Sequence, residues 1–173
     1  SDISYADGIW GGDLPAVYGH EAAGRISGVG DGATAWEVGA RVIVTLIRAC
    51  GTCGSCGSGR PTACETPGGP APLTREDGMP VVQAMNCGGF AERVVVDHSQ
   101  IARIPEDIPA DAACLLSCGV ITGVGAVVNA GKLRAGEDVV VIGAGGVGLN
   151  AIQGARLAGA RRITAVDMLE DKL

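Results

Sequence analysis

The chain has 173 residues, 47 % of them hydrophobic, which is enough for a proper core in one domain or in one and a half small ones. A net charge of −6 and a pI near 4.8 leave no basic stripe to neutralise phosphates, which argues against nucleic acid as a partner. No apolar run is long enough to span a membrane, and seven cysteines, an odd number, fit a reducing cytoplasm better than a disulfide scaffold.

In chain order, the first two-thirds read as short strands and turns. The β-rich runs are Ala23–Val29, Arg41–Ile47 and Gly89–Val96, punctuated by glycine, proline and aspartate. Gly68–Pro80 reads as a Pro/Gly-rich loop. Pro105 and Pro109 interrupt the chain before Asp111, a candidate cap for a helix running through Cys114 and Leu116. From about Gly119 the texture becomes small and apolar through Ile121–Ala130. A strand is expected at Asp138–Ile142, a helix at Gly146–Leu157 and a second strand at Arg162–Val166. This is one βαβ unit, and its apolar first strand reads as covered on both faces. The chain opens on Ser1 and stops at Leu173 as a helix is starting, and is expected to be a fragment of a longer protein.

Cys50, Cys53, Cys56 and Cys64 form C-x2-C-x2-C-x7-C in a loop with glycines at 51, 54, 57 and 59, which let the backbone turn around a tetrahedral point. Zinc favours such a closed all-sulfur shell, and a closed shell builds structure without doing chemistry. A disulfide pair and a nucleic-acid-binding zinc ribbon are the alternatives, and neither the composition nor the charge favours them.

Gly143-Ala144-Gly145-Gly146-Val147-Gly148 closes an apolar strand and opens a helix, and Asp167 follows nineteen residues later at the tip of the next strand. That context makes the glycine pattern a dinucleotide fingerprint: a tight turn, close approach of the pyrophosphate, and helix-on-strand packing at a helix N-terminus. Asp167 can accept the adenosine ribose hydroxyls. A 2′-phosphate there would meet like charge at about 4 kcal/mol for 4 Å and an effective dielectric of 20, so NAD is favoured over NADP.

A second metal constellation is fainter. His20, in Gly19-His20-Glu21, is one of two histidines, and Cys118 stands at the junction of the two textures. About a hundred residues separate them, and spacing alone does not pair them. Cys87 and Cys114 read as core or incidental thiols, and His98 as exposed. Trp36 reads as packing, and Trp10 is a lesser candidate for a substrate pocket.

Together these segments resemble the zinc-dependent medium-chain alcohol dehydrogenases. The run Gly19 to Gly30 looks like their zinc signature, the cysteine quartet has the spacing of their structural zinc lobe, and Cys118 to Ala126 resembles their second catalytic cysteine segment. The glycine turn and Asp167 follow in the family's order. The resemblance covers essentially the whole chain and implies an α/β plus β fold: a GroES-like β-barrel catalytic domain over residues 1–119, then the start of a Rossmann NAD-binding domain over 120–173.

It also implies roles. His20 and Cys118 would be two of three catalytic zinc ligands, and the third, a cysteine two positions before Ser1, would lie outside this sequence. Ser1 would relay the proton from the alcohol, Asp2 would orient His20, and Glu21 would lie behind the zinc. Many relatives carry a histidine three residues after the relay hydroxyl, where this chain has Ser4. Thr122 and Val147 would line the nicotinamide, and Lys172 would lie near the ribose with Asp167. The implied activity is reversible oxidation of an alcohol to an aldehyde or ketone with NAD, using two Zn2+ per full-length chain. Cys118, where polyol-type relatives tend to carry glutamate, points to simple, aryl or long-chain alcohols, or to the branch oxidising the formaldehyde–thiol adduct. A zinc- and nucleotide-binding fragment without turnover is a further alternative. A cytoplasmic homodimer or homotetramer acting on small molecules, with no membrane or nucleic-acid partner, is expected.

Overall fold

A computed structural model describes residues 1–66 and 73–173, so the first part of the loop expected at Gly68–Pro80 lies outside the described residues. The chain divides into two compact units, Ser1–Ser117 and Cys118–Leu173.

The first unit contains α1 (Asp2–Ala6), β1 (Ala16–Val17), β2 (Ala22–Arg25), β3 (Arg41–Val44), α2 (Gly54–Gly57), β4 (Leu73–Thr74), β5 (Pro80–Gln83), β6 (Ile101–Arg103) and α3 (Ala110–Ala113). Its strands make two three-stranded sheets. One is ordered β1-β5-β4, with β1 parallel and β4 antiparallel to β5; the other is ordered β2-β3-β6 and is antiparallel throughout. The central strand β3 buries Val42, Ile43 and Val44 in succession, which is what an unbroken β-branched run does when both its faces are covered. At its start Arg41 donates to the carbonyls of Pro105, Glu106 and Ile108, fixing the chain that leaves β6.

Three expected strands differ, each because a side chain or a turn takes over ladder groups. The strand expected over Arg41–Ile47 ends at Val44: Thr45 N–H still bonds Gln100 O, but the Thr45 hydroxyl then accepts the Ile47 N–H at 2.9 Å and turns the chain. The strand expected over Ala23–Val29 is Ala22–Arg25, and its backbone pairing lasts one residue further, through Ile26 to Ala40 and Gly39. Gly28, Gly30 and Gly32 follow, and glycine in a strand interior weakens it.

Gly89–Val96 is not a strand. Gly89 and Phe90 donate to Gly19 and Tyr18, while the Gln83 amide takes the Val95 carbonyl at 2.7 Å. Conversely, part of the expected loop is a hairpin. Leu73–Thr74 pairs with Pro80–Val81 around Glu76-Asp77-Gly78, with Gly78 at φ +82° and the Met79 N–H held by Asp77 Oδ1.

Asp111 is not the cap expected of it. Pro109 caps α3 and Asp111 sits in the first turn, where its charge faces the positive end of the peptide dipoles; the chain then tightens into a 3-10 turn over Cys114–Ser117.

The second unit contains α4 (Gly119–Gly125), β7 (Asp138–Ile142), α5 (Gly146–Leu157) and β8 (Arg162–Val166). After α4 the chain continues through a π turn over Ala126–Ala130. β7 and β8 pair in parallel from Asp138↔Arg162 to Ile142↔Val166, with α5 between them in sequence, at the residues the periodicity predicts. α4 and α5 touch through glycine: a Cβ on Gly123 would stand 2.6 Å from the Val147 carbonyl oxygen. Val141 packs toward α5, while Val140 and Ile142 on the other face are 62 % and 85 % exposed in this chain. Among the described residues, no single helix is long and apolar enough to cross a membrane.

Candidate metal sites and nucleotide-binding turn

The four sulfurs of Cys50, Cys53, Cys56 and Cys64 lie within 4.8 Å of one another, and among the described residues no other group of three or more potential ligands converges in this way. No cysteine among them is in a disulfide. Cys53 Sγ and Cys64 Sγ are 3.9 Å apart, close to the ~3.8 Å edge of a tetrahedron built on Zn–S bonds of about 2.3 Å. Two glycines, Gly51 at φ +75° and Gly59 at φ +78°, turn the chain; Gly54 and Gly57 instead lie in α2.

Backbone and hydroxyl donors point at the sulfurs. Cys50 Sγ receives the Thr66 hydroxyl at 3.2 Å and the N–H groups of Cys53 and Thr52, and together these hold its thiol down at about 5. Cys53 is lowered by the Glu65 and Cys56 N–H groups. Burial pushes Cys56 up to about 12. The donors favour thiolates, and a cation among them would reverse the desolvation penalty on Cys56.

Asp2 and His20 meet as the resemblance implies. Asp2 Oδ2 lies 2.7 Å from His20 Nδ1, and Asp2 Oδ1 accepts the Gly19 N–H at 2.7 Å. A carboxylate only accepts, so Nδ1 is the nitrogen that donates, and Nε2 is the one that could ligate a metal. His20 is buried. The turn that aims it needs glycine at 19: φ is +93°, and a Cβ would stand 2.5 Å from the Phe90 nitrogen. Ser1 is the exposed cap residue of α1, Glu21 follows His20 into β2, and Cys118 caps α4 in the second unit. An open groove of about 1230 Å³ runs over β2 and residues 91–96; Glu21 lines it, whereas His20 and Asp2 do not.

In the glycine turn, Gly143 takes φ +98° and donates to the Val166 carbonyl, and a Cβ on Gly148 would fall 1.8 Å from the Gly143 carbonyl oxygen. A Cβ on Gly145 or Gly146 would meet no atom of the protein. The first N–H groups of α5 have no acceptor within the helix, so the open side of the turn combines free space with donors, as a pyrophosphate needs. Val147 lies in the first turn of α5 and is half exposed. Asp167 accepts the Ala144 and Leu169 N–H groups, and these bonds, Leu169 first, hold its carboxyl below the usual range, with Lys172 adding charge attraction. Thr122 lies on the exposed side of α4.

Three supporting residues escape sequence reasoning. Glu65 accepts the Ser55 N–H and hydroxyl at 3.0 and 2.5 Å and so holds α2; its position directly after Cys64 is the only signal. Thr66 donates to Cys50. Gln100, 2 % exposed, donates to Thr45 O and Asn86 O and accepts the Asp97 N–H; the Asp97-x-x-Gln100 capping-box spacing could have flagged it. Cys87 is fully buried and its thiol is pushed up to about 11 by burial. Trp10 packs edge-on against Tyr5, Trp36 lies under the Arg103 guanidinium, and His98 is exposed.

Comparison with known proteins follows the same segments. Residues 1–106 match the family described as the alcohol dehydrogenase GroES-like domain. The chain is 39 % identical over 169 residues to an S-(hydroxymethyl)glutathione dehydrogenase of Paracoccus denitrificans, covering 92 % of this chain and 45 % of the relative. It is 42 % identical over 163 residues to a protein of the same description from Photobacterium damsela subsp. piscicida, covering 89 % and 44 %. The chain thus spans about half the length of the curated relatives it matches.

Among solved structures, an alcohol dehydrogenase zinc-binding domain protein from Burkholderia ambifaria superposes with a TM-score of 0.91 at 32 % identity, over 99 % of this chain and 49 % of that one. Benzyl alcohol dehydrogenase from Acinetobacter calcoaceticus gives 0.81 at 32 %, over 93 % and 46 %.

Proposed function

Because the chain belongs to the zinc-dependent medium-chain alcohol dehydrogenase family, we propose that the protein carrying it oxidises an alcohol to an aldehyde or ketone, reversibly, with NAD as hydride acceptor. The observation that supports this reading is the Asp2–His20 pair, in which Nδ1 faces the carboxylate and Nε2 is left as the nitrogen that would ligate zinc.

His20 and Cys118 would be ligands of the catalytic zinc. The cysteine quartet would hold a second, structural zinc. Zinc supplies Lewis acidity and NAD the hydride-accepting ring when they are bound. The chain's own residues do the rest. Asp2 keeps the proton on His20 Nδ1. The Ser1 hydroxyl passes the alcohol proton outward. Glu21 would stand behind the zinc, and Thr122 and Val147 would line the nicotinamide. Gly145 and Gly146 leave room for the pyrophosphate at the N-terminus of α5, and Asp167 with Lys172 faces the adenosine ribose.

In this reading the second unit is the beginning of a Rossmann domain, with residues 1–119 forming the catalytic domain and 120–173 the start of the cofactor domain. The working protein is a cytoplasmic homodimer or homotetramer acting on small molecules, with neither a membrane nor nucleic acid as partner.

A narrower substrate, the S-(hydroxymethyl) adduct of glutathione, is favoured by one specific observation: the curated relatives at 39 % and 42 % identity carry that name. A panel of primary, aryl and long-chain alcohols, with and without formaldehyde plus glutathione, separates the two on the full-length protein. Turnover of alcohols supports the broad reading, and turnover confined to the adduct supports the narrow one. No NADH from any substrate would refute both.

A further inference from the structure

The Asp167 carboxylate does more in this structure than stand at the tip of β8. Its Oδ1 accepts the Leu169 N–H at 3.0 Å, a local bond two residues on that closes an Asx turn. Its Oδ2 accepts the Ala144 N–H at 2.7 Å, and that bond spans 23 residues, from the end of β8 to the heart of the glycine turn. Ala144 is buried, and Gly143 beside it is pinned by its own bond to Val166 O. On the other side of Gly143, Gly148 packs so closely that a Cβ has no room. Gly145 and Gly146, which face open space, thus begin where this fixed backbone ends.

We propose that Asp167 is a positioning residue for the phosphate-facing turn: by holding the Ala144 peptide it sets the direction in which Gly145, Gly146 and the N-terminus of α5 present their N–H groups. The proposal rests on the NAD reading above. It adds a second task to the carboxylate without removing the first. An ionised carboxylate has about four lone-pair sites, so the bonds to Leu169 and Ala144 do not exhaust it and capacity remains for a ribose hydroxyl. One group then couples the two halves of the nucleotide site. The low-lying ionisation of Asp167 fits this double acceptance, because both bonds favour the charged form.

The test uses full-length protein, its Asp167→Ala and Asp167→Asn variants, and two readouts. The first is amide exchange of the peptide containing Ala144, measured without nucleotide. Asp167→Ala should speed exchange at Ala144 at least tenfold, and Asp167→Asn, which keeps a neutral acceptor, should lie between it and the parent. The second is the dissociation constant for NAD and for an NAD analogue lacking both hydroxyls of the adenosine ribose. If the acid only reads hydroxyls, Asp167→Ala weakens NAD and leaves the analogue unchanged. If it positions the turn, the analogue weakens as well, by about tenfold, as expected for one lost hydrogen bond to a charged group. Unchanged Ala144 exchange, or an unchanged analogue affinity, overturns the proposal. Failure of the parent protein to bind either nucleotide overturns the NAD reading and the proposal's ligand with it, while the exchange measurement still reads the tether by itself. Should the alanine variant not fold, the asparagine variant carries both readouts.

Discussion

Replacing Asp2 by asparagine perturbs one atom and forces a choice. Asp2 accepts two donors, Gly19 N–H on Oδ1 and His20 Nδ1–H on Oδ2, each at 2.7 Å. The asparagine amide has one acceptor oxygen. If that oxygen keeps Gly19, the NH2 group faces Nδ1 and draws the imidazole into the Nε2–H tautomer, which removes the lone pair that would bind zinc. If it keeps His20, two donors confront each other at Gly19.

Either way a charge-assisted bond worth about 1.5–3 kcal/mol is lost in a site where both side chains are largely buried. At about 1.36 kcal/mol per tenfold, this weakens zinc binding at His20 roughly 10- to 100-fold, the range usual for loss of a group that orients a histidine ligand. Zinc release to a chromophoric chelator reads it directly in the full-length protein. The parent should hold two zincs tightly. Asp2→Asn should release one of them at 10- to 100-fold lower chelator concentration, the cysteine-bound zinc staying in place. Two zincs released as in the parent would refute the reasoning.

The remaining predictions rest on other contacts. Gly148→Ala places a Cβ against the Gly143 carbonyl, backbone against backbone with no rotamer to escape into; it should destabilise the protein by about 2–4 kcal/mol and weaken NAD binding by more than tenfold, read by thermal unfolding and nucleotide titration. Gln100→Ala orphans the Thr45 and Asn86 carbonyls and the Asp97 N–H around a fully buried side chain, and should cost about 3 kcal/mol in urea unfolding, whereas exposed Gln153→Ala should cost almost nothing.

Asp97 is held below the ordinary carboxylate range, first by the Ser99 N–H and then by the Arg48 charge 3.3 Å away. A depressed acid contributes stability that is present above its unfolded value and is lost as pH falls through its folded value. Unfolding profiles should therefore show stability falling below about pH 4, and Asp97→Asn should flatten that limb; an unaltered slope would contradict it.

The parts legible in the sequence are those in which the residue type alone fixes the geometry. Val139 to Ile142, the glycine turn and the helix to Leu157 lie where periodicity puts them, because β-branched runs and glycine spacing act locally. The cysteine cluster is legible because its ligand spacing comes with glycines, of which Gly51 and Gly59 turn the chain so that the four thiols meet.

What escaped reading depends on distant partners. Thr45, Gln83 and the Gly28–Gly32 run end expected strands by taking over or loosening ladder groups, and Asp77-Gly78 makes a hairpin inside a segment whose prolines suggest only loop. Asp2 and His20 are eighteen residues apart, and their meeting came from the resemblance, not from spacing. The tie from Asp167 to Ala144 had no signal at all, since the same aspartate would stand in the sequence whether or not it bent back to the turn.

The central claim is that the faint constellation around His20 is the working site and that the conspicuous cysteine quartet only builds structure. NADH formation from a substrate alcohol by the full-length protein, measured beside its His20→Ala variant with the zinc of each counted, tests it most directly. The parent should hold two zincs and turn over, and the variant should hold one zinc with turnover reduced at least a thousandfold. A variant that keeps turning over alcohol would contradict it.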